Sequence, residues 1–153
     1  MRRFFLLVAV GLTLWLVTVS AQTSATTPDL VPQQVILDQT DFAQGSHQRT
    51  RPAADGVQAD PAGGTYTTPV QQVAQFSDVL VSWRADEPVS ATLKLSIRVS
   101  NDNITWSKWG EIHEDHDLHD ERDSADLHWG SSLFAGVSQY WQVKAEFSPA
   151  PSG

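Results

Sequence analysis

Four apolar residues at two-residue spacing, Leu93, Leu95, Ile97 and Val99, alternate with Lys94, Ser96, Arg98 and Ser100. Successive side chains of a strand point to opposite faces, so this run has one wholly apolar face and one wholly polar face. Such a strand needs a core on one side and water on the other, as in an antiparallel sheet. A run just upstream behaves alike: Val79, Val81 and Trp83 alternate with Leu80, Ser82 and Arg84. Asp86-Glu87-Pro88 breaks that run, because proline has no ladder donor. Ser100-Asn101-Asp102-Asn103 ends the later one with residues that tolerate turn geometry, and Trp106 and Trp109 follow. The stretch from Phe76 to Trp109 therefore predicts an antiparallel β-domain with Trp83 in its core.

The start of the chain reads differently. Met1-Arg2-Arg3 is a positive n-region, Phe4 to Val19 an apolar h-region, and Val19-Ser20-Ala21 a small-residue cleavage site before Gln22. Residues 1–21 are thus expected to be a signal-peptide helix, which implies export to the cell envelope or beyond. The apolar run is short for a bilayer span of ~20 residues, so no membrane association is expected after cleavage. The formal charge of −8, made more negative by loss of Arg2 and Arg3, disfavours nucleic acid and anionic lipid as partners. The 153 residues contain no cysteine, which excludes disulfides, thiolate metal ligands and a cysteine nucleophile. An exported domain without such staples needs a real core, and its tryptophans help supply one.

Residues 22–31 read as a flexible leader, 32–148 as the folded domain, and 149–153 as the start of a linker. Val35-Ile36-Leu37 is a short strand candidate. Gln44 to Asp55 has no periodicity and reads as loop or disorder. Gly56 to Ala59 reads as an edge strand and Asp60 to Gly64 as a turn. Thr65 to Thr68 and Val70 to Phe76 are rich in β-formers interrupted at Pro69. Trp141, Val143, Ala145 and Phe147 alternate with Gln142, Lys144 and Glu146 in a final half-buried strand. Short strands, frequent turns and no sustained helical period predict an all-β, antiparallel β-sandwich of jelly-roll-like form.

The spacing Ser100-x-Asp102-Asn103-x-Thr105-Trp106-Ser107-x-Trp109 resembles a hairpin in secreted β-sandwich modules that precede bacterial N-acetylmuramoyl-L-alanine amidase domains of the peptidoglycan-recognition type. Other pieces agree in order: Gly64 to Val70, then Phe76 and Trp83, an acidic loop, and Leu133-Phe134-Ala135-Gly136 leading into Tyr140 to Lys144. The resemblance covers roughly residues 55–148. Asn103 stands where the family usually has glycine, and asparagine tolerates the same left-handed turn. The resemblance implies a non-catalytic accessory module, with cell-wall glycan or a partner catalytic domain as its partner. It carries over no catalytic residue, because the zinc-binding domain would lie beyond residue 153. Two alternatives stand beside it: the N-terminal fragment of a zinc-dependent amidase, and a structural or adhesion module without a small ligand.

Candidate chemistry is concentrated in two places. Trp106, Trp109, Trp129 and Tyr66 are candidate ligand-binding residues, because aromatic rings can stack on sugars; the same residues serve equally well as core. Glu111 to Asp123 is dense in titratable groups, and His113, His116 and His119 repeat every third residue. Imidazole with carboxylate suits Zn²⁺, and Asp115, Asp117 and Asp120 would be the oxygen ligands of a Ca²⁺ site. The competing reading is a solvated acidic loop, because few apolar residues hold it still. Glu87, Glu111 and Glu146 offer carboxylates for glycoside hydrolysis, yet nothing selects a pair among them. Serine is frequent without a Gly-x-Ser-x-Gly elbow, so no catalytic residue is expected.

Overall fold

A computed structural model describes residues 12–19, 30–85, 92–118 and 126–149. In chain order these form β1 (Leu12–Val19), β2 (Leu30–Ile36), α1 (Gln39–Gln44), β3 (Ser46–Gln48), β4 (Thr50–Ala53), β5 (Gly56–Ala59) and β6 (Gly64–Thr67). The chain continues as β7 (Gln71–Arg84), β8 (Thr92–Ser100), β9 (Gly110–Ile112), a 3-10 turn at His116–Leu118, β10 (Leu127–Trp129) and β11 (Leu133–Ser148). The fold is all-β and antiparallel, as the two-residue periodicity predicts. Among the described residues, nine strands share one sheet and β4 with β5 forms a separate two-stranded ribbon.

β11 organises the sheet. Along one edge it pairs first with β7 and then with β6; along the other it pairs with β8. The register puts Leu95 opposite Ala145 and Ile97 opposite Val143, and the next positions place Ser96 opposite Lys144 and Arg98 opposite Gln142. One face is therefore apolar across both strands and the other polar. Trp141, fully buried, and Trp83, 7% exposed, both lie in the core with Phe76, Val79, Val81 and Phe147. Each such side chain contributes about 1.5–3 kcal/mol through removal from water.

The interruption at Pro69 is closed by hydrogen bonds that replace the ladder. Thr68 N–H donates to the Val143 carbonyl, and its hydroxyl accepts from Val143 N–H, each at 2.9 Å. Gln142 Nε2 donates to the Thr68 carbonyl at 2.9 Å. β6 and β7 thus run on as one bent partner of β11, with the Thr68 amide and carbonyl both engaged.

One expectation is corrected. Residues 44–55, read as loop or disorder, carry the end of α1 together with β3 and β4. Their order comes from pairing with β6 and β5, which no local periodicity announces. α1 is set by a capping box: Asp38 Oδ1 accepts from Thr40 and Asp41 N–H, and Asp41 returns a carboxylate oxygen to Asp38 N–H. The leader helix falls largely outside the described residues, and where the backbone is described, Leu12–Val19 is a strand. β1 lies antiparallel between β2 and β7, matching Leu12 to Thr18 with Trp83 to Phe76. Its β-branched Thr13, Val17, Thr18 and Val19 favour that conformation. The flexible leader over residues 22–29 and the linker residues 150–153 lie outside the described residues. Among the described residues, no helix is long and apolar enough to cross a membrane.

Candidate functional site

The hairpin joining β8 to β9 is built from its own polar side chains. Ser100 Oγ accepts from the Asp102 and Asn103 N–H groups at 3.2 and 3.0 Å and donates to Asp102 Oδ1 at 3.0 Å. Asp102 Oδ1 also accepts from Ile104 and Thr105 N–H at 2.8 and 2.7 Å. These backbone donors, Thr105 first, hold the Asp102 carboxyl well below its ordinary range, at about 2. Asn103 takes φ = 58°, the left-handed position for which glycine and asparagine are suited. Ser107 N–H donates to the Val99 carbonyl, and Ser107 Oγ accepts from Val99 N–H, which fixes the return strand.

That return strand lays two indoles on the polar face of β8. The Arg98 guanidinium sits 4.6 Å from the Trp106 ring centre and 4.8 Å from that of Trp109, and Lys144 Nζ lies 5.3 Å from Trp109. Both tryptophans are half-buried. Arg98 is held in turn by Gln142, whose Oε1 accepts from Nε at 3.0 Å and from a terminal nitrogen at 2.5 Å. A relay of Thr68, Gln142 and Arg98 therefore sets the ring positions from below. Beside it, Lys94 pairs with Glu111 at 2.8 Å and Lys144 with Glu146 at 3.0 Å.

A second concentration of chemistry lies where β9 passes from β8 to β10. Beyond β9, Glu114 bridges to Gly130, Ser131 N–H donates to the His113 carbonyl at 2.8 Å, and Asp115 N–H to the Trp129 carbonyl at 2.7 Å. Gly130 permits this approach, because a Cβ there would run into Ile112 Cγ2. A cleft of about 220 Å³ opens beside the crossing, with Trp83, Leu93, Leu95 and Ile112 as apolar walls and Thr92, Glu114 and His128 as polar groups. The His128 ring stacks on Trp83 at 5.6 Å and 11°, and its Nδ1 lies 2.9 Å from Glu114 Oε1. His116 Nδ1 lies 3.5 Å from the same oxygen.

The candidate residues are therefore distributed over several environments. Trp106 and Trp109 come together. Tyr66 is 3% exposed in the core beside Phe42 and His47, and its hydroxyl donates to the Asp41 carbonyl. Burial, with Asp41 nearby, raises its pKa far above the ordinary phenol value. Its ring is thus a packing element rather than part of an exposed platform. Trp129 is half-buried on β10, opposite Ser82. His113 is exposed, His116 turns to Glu114, and His119 and Asp120 lie outside the described residues. Among the described residues, no three His, Asp or Glu side chains are grouped to hold a metal ion. Asp115 caps the 3-10 turn by accepting from Asp117 N–H. Glu111 and Glu146 are tied to lysines, and Glu87 lies outside the described residues. The Glu114–His128 pair was missed, since its only trace in sequence is the alternation of Leu127, His128 and Trp129 before Gly130. No family model matches the chain, and neither curated proteins nor solved structures yield a match.

Proposed function

We propose that this chain is an exported, non-catalytic accessory module of a cell-wall amidase system, with a jelly-roll-like sandwich fold and peptidoglycan glycan as its target. The observation that carries this reading is the pair Trp106 and Trp109, half-exposed on the polar face of a sheet and positioned by Arg98. An indole offers the apolar C–H face of a sugar ring a flat surface, while the charged side chains of Lys144 and Glu111, both opposite Ser96, lie on the same polar face to meet hydroxyls. Rings already held in place lose little rotamer freedom on binding, which favours affinity. The hairpin spacing that resembles the amidase-associated modules supports the cell-wall assignment, and the leader Met1 to Ala21 supports export.

The test is co-sedimentation with purified peptidoglycan sacculi, comparing the native chain with a Trp106→Ala/Trp109→Ala variant. Binding is expected to fall by roughly tenfold or more in the variant, with no muropeptide released by either protein. Equal sedimentation of the two would overturn the proposal. The internal closure of the hairpin favours a second reading, in which the motif is purely structural. Under it the native chain does not sediment and the double variant is merely less stable.

A further inference from the structure

We propose a second binding site in this chain: the cleft bounded by Trp83, Leu93, Leu95 and Ile112 is a receptor for an aliphatic primary ammonium group, as on a lysine side chain. It shares no residue with the Trp106–Arg98–Trp109 face and stands independently of the glycan reading. The walls are apolar, and the charged group lining them is the carboxylate of Glu114, with neither lysine nor arginine among the lining residues. An anion would face Glu114 with nothing to compensate it, whereas a cation is matched.

The hydrogen-bonding geometry selects an ammonium. In the tautomer that donates Nδ1–H to Glu114 Oε1, His128 keeps a lone pair on Nε2. Among the described residues, neither that Nε2 nor Glu114 Oε2 has a partner. The Thr92 hydroxyl lines the same cleft, so its polar lining supplies acceptors for the three donors of an –NH₃⁺. Leu93, Leu95 and Ile112 receive the alkyl stem. At about 220 Å³ the cleft is below the ~300–1,000 Å³ usual for drug-sized ligands, so it admits a side chain rather than a larger molecule. The overall charge of −8 and the adjoining Asp115 and Asp117 favour cations in the encounter as well.

The experiment is an NMR titration of the full chain with Nα-acetyl-lysine methylamide, following the Trp83 indole and His128 imidazole signals. Nα-acetyl-norleucine methylamide, which keeps the four-carbon stem and lacks the ammonium, serves as control. The lysine probe is expected to give saturable shifts, with affinity roughly tenfold lower for norleucine and for Glu114→Gln. Because Glu114→Gln could loosen the β9–β10 crossing, Leu93→Phe, which fills the cleft and leaves the carboxylate in place, is titrated too and is expected to abolish the shifts. Equal shifts from both probes, undiminished binding by Leu93→Phe or by folded Glu114→Gln, or no saturable shift in the native chain would each overturn the proposal.

Discussion

Arg98 and Trp83 show how much one side chain can decide here. Arg98 ends on the polar face of β8, yet Gln142 and two indoles surround its guanidinium, so its charge serves as the seat of the hairpin tryptophans. Trp83 closes the core at the end of β7 and supports His128 on its ring. Trp83→Ala is expected to destabilise by about 3–5 kcal/mol, as truncation of large buried aromatics does. Urea unfolding measures this, and a loss below about 1 kcal/mol would contradict a core position. Gly45 is a tighter case, since a Cβ there would meet the Tyr66 ring. Tyr66 cannot swing away without giving up its bond to the Asp41 carbonyl, so Gly45→Ala should cost about 1–3 kcal/mol by overpacking. A neutral substitution in the same unfolding assay would show that the ring has room to move.

At the scale of elements, the β8–β9 hairpin carries its own pH dependence. The Asp102 carboxyl is lowered from the ordinary 3.8 to about 2 by the turn amides of Thr105 and Ile104. A depressed carboxyl contributes stability that is fully present above the unfolded value and is lost as pH falls through the folded one. The window is therefore from about 3.8 down to about 2. Asp102→Asn keeps an acceptor oxygen but no titrating charge. The native melting temperature should drop more than that of Asp102→Asn between about pH 5 and about pH 2, the other carboxylates being common to both. Parallel curves would remove Asp102 from the acid response. The exposed Lys94–Glu111 pair, by contrast, contributes little, as solvent-screened ion pairs do.

At the scale of the whole molecule, β1 covers the edge of β7 from Phe76 to Trp83 and is the strand partner of β2. Cleavage after Ala21, the processing step expected from the sequence, would remove β1 and uncover that edge. A chain lacking residues 1–21 is expected to melt lower and to self-associate through the bare β7 ladder. Light scattering with thermal melts measures both, and a monomer of unchanged stability would show that the edge needs no cover. The sequence by itself determined what neighbouring residues can write: the alternating runs at residues 79–84, 93–100 and 138–147 of an antiparallel sheet, their apolar faces, and Trp83 and Trp141 in the core. Side-chain alternation is a local property, so it survives without knowledge of partners. The hairpin at Ser100 to Trp109 was legible for the same reason, since its hydrogen bonds span few residues. Tertiary structure alone decided that residues 46–53 form strands, that Leu12–Val19 is a strand, and that Tyr66 packs inside while Trp106 and Trp109 meet over Arg98. It also brought Glu114 to His128, fourteen residues apart, through the register of residues 113–115 against 129–131. Register between distant strands is set by which faces the whole core must bury, and no window of sequence contains that information.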